Sequence, residues 1–135
     1  MINNGRIEHE ITYPHPPERV WRALTDSADL SVWLMPTDFV AEVGHEFTFD
    51  ARPSLGIITG AVLAVDRPRL LSMRWSGVFG DTIVTFTLAA THGGTCLRVE
   101  HTAWPDVHRR HRDDFDHGWH DKLTHDLATL LAERP

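Results

Sequence analysis

The sequence predicts an α+β domain in which one curved antiparallel sheet is closed on its concave face by a long C-terminal helix. Three observations carry this. An alternating segment near the start gives a strand, and two short stretches of helical spacing follow it. Residues 37–102 then break into β-type segments bounded by turn residues. The final segment returns to helical periodicity, with one apolar stripe.

Residues 6–13, RIEHEITY, set Ile7, His9, Ile11 and Tyr13 on one face and Arg6, Glu8, Glu10 and Thr12 on the other, the pattern of a half-buried strand. Pro14, Pro16 and Pro17 end it. The run PPERVWRAL then puts proline in a first helical turn, with Val20, Trp21 and Leu24 at helical spacing. In TDSADLSVWL, Asp26 is an N-cap with Asp29 three residues on, and Leu30, Trp33 and Leu34 form one stripe.

Six strands are expected next, at 37–42, 46–51, 56–66, 69–76, 81–90 and 94–102. They are separated by Val43-Gly44-His45, Arg52-Pro53-Ser54, Asp66-Arg67-Pro68, Gly77 to Gly80 and His92-Gly93-Gly94. Connections this short favour an antiparallel meander. Phe115, Trp119, Leu123, Leu127 and Leu130 or Leu131 make a stripe about 24 Å long at 1.5 Å per residue, and a stripe of that length has to cover something. Residues 1–135 read as a single domain, without internal repeats or low-complexity segments.

Composition narrows the partners. With 135 residues the chain is long enough to bury a core without metals or disulfides, and 41% hydrophobic against 24% charged residues is ordinary for a soluble globular protein. A net charge of −6 disfavours an electrostatic grip on phosphate backbones, and the basic run HRRHR at 108–112 is followed at once by DDFD, so no nucleic-acid partner is expected. The single Cys96 cannot form an internal disulfide. No apolar run approaches the roughly 18 residues of a membrane span, and no charged-then-apolar leader opens the chain, so the expected setting is cytoplasmic and away from membranes.

The order and spacing of several pieces resemble the SRPBCC (START-like, helix-grip) superfamily. More narrowly, they resemble the branch homologous to the C-terminal domain of the activator of the ninety-kilodalton heat-shock protein ATPase. The pieces are YPHPPERVWRALTDSADLSVWL at 13–34, PTDFVAEVGHEFTF at 36–49, GAVLAVDRPRLLSMRW at 60–75, TIVTFTLAATHGGTCLRVEHTAW at 82–104 and GW at 118–119. The resemblance covers nearly the whole chain. It implies a helix-grip fold: a seven-stranded curved sheet wrapped around the C-terminal helix, with two short helices after the first strand and a cavity between sheet and helix. Family members use that cavity for lipids, hormones or polyketides, and fold alone does not choose among these uses.

Parity puts Phe47 and Phe49, Leu71, Met73 and Trp75, Val84, Phe86 and Leu88, and Leu97, Val99 and His101 on the inner face. With Trp33, Phe115, Trp119 and Leu123 from the helices, the candidate ligand-binding set is Trp33, Phe49, Met73, Trp75, Val84, Phe86, His101, Phe115, Trp119 and Leu123. A mostly aromatic lining suits a flat or elongated apolar molecule, although rings at these spacings also make ordinary cores. His9 and His101 face inward on strands expected to be neighbours, so each could present an imidazole to a ligand or serve as a hydrogen-bonded wall residue. Asp116 and His120, four apart at the border of the helical stripe, are a candidate acid/base pair.

Five of the ten histidines fall between His108 and His125, with His117 and His120 at i, i+3 spacing. Without HExxH or a cysteine pair, neither a metal nor a cofactor is expected. Cys96 has parity opposite to Leu97 and Val99 and leans away from the cavity. Arg98 and Glu100 fall on the outer face, where Arg6 and Glu8 would pair with them. Gly118, a poor helix former before Trp119, is expected well off the sheet-facing stripe and out of the cavity. It would mark close approach by the preceding loop or the second helix, or a helix that starts only near Asp116.

Three functions fit these residues. The first is sequestration of a hydrophobic or aromatic small molecule between sheet and helix. The second is a chaperone-accessory interaction domain, implied by the resemblance. The third is a cyclase- or hydrolase-type enzyme using His101 with Asp116 and His120 around a polyketide-like substrate. The balance is toward binding rather than catalysis, and the sequence is silent on oligomeric state.

Overall fold

The alternation of RIEHEITY does become a strand, β2 (Arg6–Tyr13), and it is not the first one. Ile2–Asn3 (β1) pairs with it in a short hairpin, Ile2 opposite Ile7 and Asn3 opposite Arg6, turning through Gly5 at φ +81°. The computed structural model describes residues 2–3, 5–105 and 109–135; His108, counted above with the helix histidines, lies outside the described residues.

Helices α1 (Pro17–Thr25) and α2 (Ser27–Trp33) form as expected. Proline opens α1, and the Asp26 carboxylate accepts the Asp29 N–H at 3.0 Å to cap α2. The fully buried Trp33 locks the two together by donating its indole N–H to the Ala23 carbonyl at 2.7 Å. Asp29 meets Arg19 at 3.1 Å, both nearly buried, and Arg19 Nε donates to the Arg134 carbonyl at 2.6 Å. One ion pair therefore ties both short helices to the end of the chain.

Strands β3 (Glu46–Ala51), β4 (Gly56–Asp66), β5 (Leu70–Gly77), β6 (Gly80–Thr91) and β7 (Gly94–Thr102) follow as a meander, each within a residue or so of its expected span. The sheet order is β1-β2-β7-β6-β5-β4-β3, antiparallel throughout. A register shift between Val62 and Ala64 interrupts the β4–β5 ladder, the kind of irregularity that bends a strand. The inward parity holds: Phe47, Phe49, Leu71, Met73, Trp75, Val84, Phe86, Leu88, Leu97, Val99 and His101 are all buried. Cys96 takes the opposite parity and is half-buried. On the outer face Arg98 meets Glu8 at 3.3 Å and Glu100 at 2.9 Å, and Arg6 meets Glu8 at 2.7 Å.

The strand expected at 37–42 does not form. Only one bridge, Thr37 to Phe49, survives. Side chains do the pairing instead. The Thr37 hydroxyl donates to the Thr48 carbonyl at 2.7 Å, and the Asp38 carboxylate accepts the Thr48 N–H at 2.8 Å. The Asp50 N–H reaches the Pro36 carbonyl at 2.9 Å. The segment thus covers the open edge of β3 without becoming its neighbour. The seven strands are completed by β1 rather than by residues 37–42.

The C-terminal helix runs as α3 (Arg109–Asp121), a π-helical turn (Lys122–Leu127) and α4 (Ala128–Glu133). Trp119, Leu123, Leu127, Leu130 and Leu131 are buried, so the stripe keeps its role across the wider turn. Within that turn the Leu123 carbonyl receives the Tyr13 phenol of β2 at 2.6 Å, a side chain entering the helical hydrogen-bond ladder from the sheet. Helix α3 already includes Arg109, well ahead of Asp116, which places Gly118 in the helix interior rather than in a first turn.

Candidate functional site: an aromatic-floored cleft

Trp75 of β5 is the hub of the interior. Its ring centroid lies 5.0 Å from Phe49 of β3, 5.6 Å from His101 of β7, and 5.5 and 6.3 Å from Trp119 and Phe115 of α3. Sheet and helix are joined ring to ring, mostly in tilted or edge-on geometries, each such pair worth about 0.5–1.5 kcal/mol beyond burial.

A polar chain threads this cluster. Trp119 Nε1–H donates to His101 Nδ1 at 3.1 Å. An indole can only donate, so Nδ1 is bare and the proton sits on Nε2. Nε2–H then donates to Thr82 Oγ1 at 2.8 Å, and the Thr82 hydroxyl donates to the Trp75 carbonyl at 2.9 Å. Burial pushes His101 down to about 3 and keeps it neutral. Both imidazole nitrogens are committed to the protein, so His101 braces Trp119 and Trp75 and is not offered to a ligand.

Beside this cluster opens a cleft of about 950 Å³. Its walls are the end of α2 and the residues after it (Ser31 to Pro36), the β3–β4 hairpin (Asp50 to Leu55) and the near flank of α3. Trp75, Phe115 and Trp119 are the members of the expected ligand-binding set that line it. Trp33, Phe49, Met73, Val84, Phe86, His101 and Leu123 lie in the packed core behind. Met35, Leu55 and Gly118 also line it, and charged side chains including Arg52, Arg110 and Lys122 complete the lining. Arg52 forks onto Asp50 at 3.0 and 2.8 Å and holds that carboxyl at about 2, which keeps the hairpin wall charged.

Gly118 corrects two expectations. A Cβ built at this position meets no atom of the described residues within 4 Å, so neither the second helix nor the described part of the preceding loop approaches closely, and the residue does line the cleft. The missing side chain widens the opening beside Phe115 and Trp119. Sequence reasoning also missed Met35 and Leu55, which fall between the predicted elements. The Arg-Pro-Ser turn at 52–54 marked the hairpin without revealing that it folds toward the helix.

The polar residues of α3 gather on its other flank. His9 Nε2 and Asp116 Oδ1 are 2.9 Å apart, at a recess of about 400 Å³ lined also by His117, His120 and Asp121. Burial lowers the His9 pKa although the Asp116 carboxylate pulls it upward. Asp116 is held below its ordinary value, the positive charge and hydrogen bonding around it, His9 included, outweighing burial. Asp116 engages His9 of β2, and His120 on the same recess is exposed. His101 sits in the buried ring cluster, while Asp116 and His120 line the recess on the other flank. Among the described residues, no three His, Cys, Asp or Glu side chains converge to hold a metal ion, and no helix is long and apolar enough to cross a membrane.

Known proteins match this architecture closely. A protein of Mesorhizobium loti, MLL2253, has a solved structure that superposes with a TM-score of 0.89 at 34% identity, covering 96% of this chain and 98% of that one. The Bacillus halodurans protein BH1534 gives a TM-score of 0.79 at 31% identity over 96% and 99% of the two chains. The Aha1 dimer from Colwellia psychrerythraea shares the fold, with a TM-score of 0.72 at 19% identity over 88% and 90%. No curated protein matches the chain. The family described as Activator of Hsp90 ATPase homolog 1-like protein matches residues 14–132, from the end of β2 to the last turn of α4. By that match, and by the sheet, helices and order of elements it spans, the chain belongs to this family of the SRPBCC superfamily.

Proposed function

We propose that the protein works in the cytoplasm as a binding protein for a hydrophobic or aromatic small molecule. The ligand is held in the cleft between α3, the end of α2 and the β3–β4 hairpin. The observation that carries this reading is a 950 Å³ opening floored by Trp75, Phe115 and Trp119 and flanked by charged side chains. Ligand sites generally have that character, an apolar floor with a few placed polar groups. The guest sits at the mouth of the helix-grip cluster, because the rings deeper in are already packed on one another. Tryptophan fluorescence, titrated with an apolar tricyclic probe and with a metabolite extract, tests it. Saturable quenching of the floor tryptophans is expected, and an unchanged spectrum throughout would overturn the reading.

The family match favours a second reading, an accessory domain acting on a chaperone ATPase. Stimulation of an Hsp90-type ATPase by the purified chain would support it. No stimulation and no co-purification would remove it.

A further inference from the structure

Trp75, in the floor of the cleft, carries a hydrogen-bond donor with no partner among the described residues. Trp75 is 0% exposed, and its indole Nε1 has no partner. Other tryptophans do not share this condition. Trp33 Nε1 donates to the Ala23 carbonyl at 2.7 Å, Trp104 Nε1 to the His101 carbonyl at 3.0 Å, and Trp119 Nε1 to His101 Nδ1 at 3.1 Å.

Nor do the ring side chains packed around it offer a free acceptor. Phe49 and Phe115 offer only ring faces and edges, Trp119 is itself a donor, and both His101 nitrogens are engaged. The Trp75 carbonyl and the Thr82 hydroxyl are occupied with each other. An indole N–H cannot reverse its role, and a buried donor left without a partner is costly enough that native interiors rarely tolerate it. Trp75 also lines the cleft.

We propose that the cleft selects an aromatic ligand bearing a carbonyl oxygen, which accepts the hydrogen bond from Trp75 Nε1. This rests on the small-molecule reading above and adds to it the chemistry of the guest. A plain hydrocarbon of the same shape would fill the cleft and leave the donor unsatisfied. The oxygen-bearing one removes that penalty, so discrimination should be roughly ten-fold or more.

The test uses 9-fluorenone and fluorene, one tricyclic frame with and without the oxygen. Wild-type protein carrying ¹⁵N-tryptophan is titrated with each, and the indole N–H resonances are followed. The expected result is tighter binding of fluorenone by roughly ten-fold, with a downfield shift of the Trp75 indole proton by fluorenone alone. In Trp75→Phe both affinities fall and their ratio collapses toward one. Equal affinities in the wild type with an unmoved Trp75 resonance would overturn the acceptor proposal and leave the cleft reading standing. Binding of neither probe would overturn both. Should Trp75→Phe fail to fold, the wild-type resonance decides the matter.

Discussion

Replacing Gly118 separates the stability of the helix from the openness of the cleft. The residue lies inside α3, its φ is not in the left-handed region, and a Cβ there meets nothing within 4 Å. Gly118→Ala therefore gains helix propensity without a steric penalty, about 0.8–1 kcal/mol. At about 2.1 cal/mol/K per residue, the unfolding entropy for 135 residues is about 0.28 kcal/mol/K, so Tm should rise by about 3–4 °C. Gly118→Leu should keep most of that gain while its side chain fills the space beside Phe115 and Trp119, weakening binding of an apolar probe by ten-fold or more, about 1.4 kcal/mol. Thermal unfolding by circular dichroism reads the first effect and fluorescence titration the second. A lower Tm for Gly118→Ala would refute the open-flank geometry. Undiminished probe binding by a folded Gly118→Leu would refute the cleft as the site.

Other predictions probe the scaffold. His101 has its pKa lowered by burial to about 3 against an unfolded value near 6.5, so the unfolded chain binds the extra proton between those limits. Its contribution is fully present above pH 6.5 and is lost as pH falls below it, at up to about 1.4 kcal/mol per pH unit; urea unfolding from pH 7 to 4.5 should show that slope in the wild type and a shallower one in His101→Gln. Asp29→Ala leaves the nearly buried Arg19 guanidinium without its carboxylate and should cost about 3–5 kcal/mol by urea denaturation. Tyr13→Phe removes the donor to the Leu123 carbonyl and should cost about 1–2 kcal/mol, with faster amide exchange across residues 122–127.

What could be read from the sequence was whatever repeats with a period. Strand patterning located β2 to β7 and assigned their inner faces, and the i, i+4 stripe found the face of the C-terminal helix. Residues 37–42 carry a short apolar run, Phe39-Val40-Ala41, but the Thr37 and Asp38 side chains compete for the backbone groups of Thr48, a local contest that the hydrophobic pattern does not display. The start of α3 was hidden because Arg110, Asp113 and Asp114 face solvent or the cleft and carry no apolar period. Gly118 was set off the apolar stripe by periodicity, which does not display that the cleft opens on that flank. The β1 hairpin turns at Gly5, and a strand of two residues is too short to carry a period.

The site divides the same way. Of the cleft lining, Trp75 was placed inward by strand parity and Phe115 and Trp119 by the helical stripe, because they belong to periodic elements. Met35, Leu55 and Gly118 were not, because the walls come from a helix end, a hairpin tip and a helix flank whose convergence is purely tertiary. The inner histidine was located correctly, yet its hydrogen-bonding state depends on Trp119 and Thr82, partners far from it in sequence.

Intermolecular NOEs from fluorene to the protein's methyl groups test the location of the guest most directly. The account predicts contacts to the Met35 and Leu55 methyls and to the Phe115 ring, with none to Leu71 or Leu97 in the closed core. Contacts only to exposed apolar residues such as Val40, Val43 or Leu63, or no contacts at saturating probe, would contradict it.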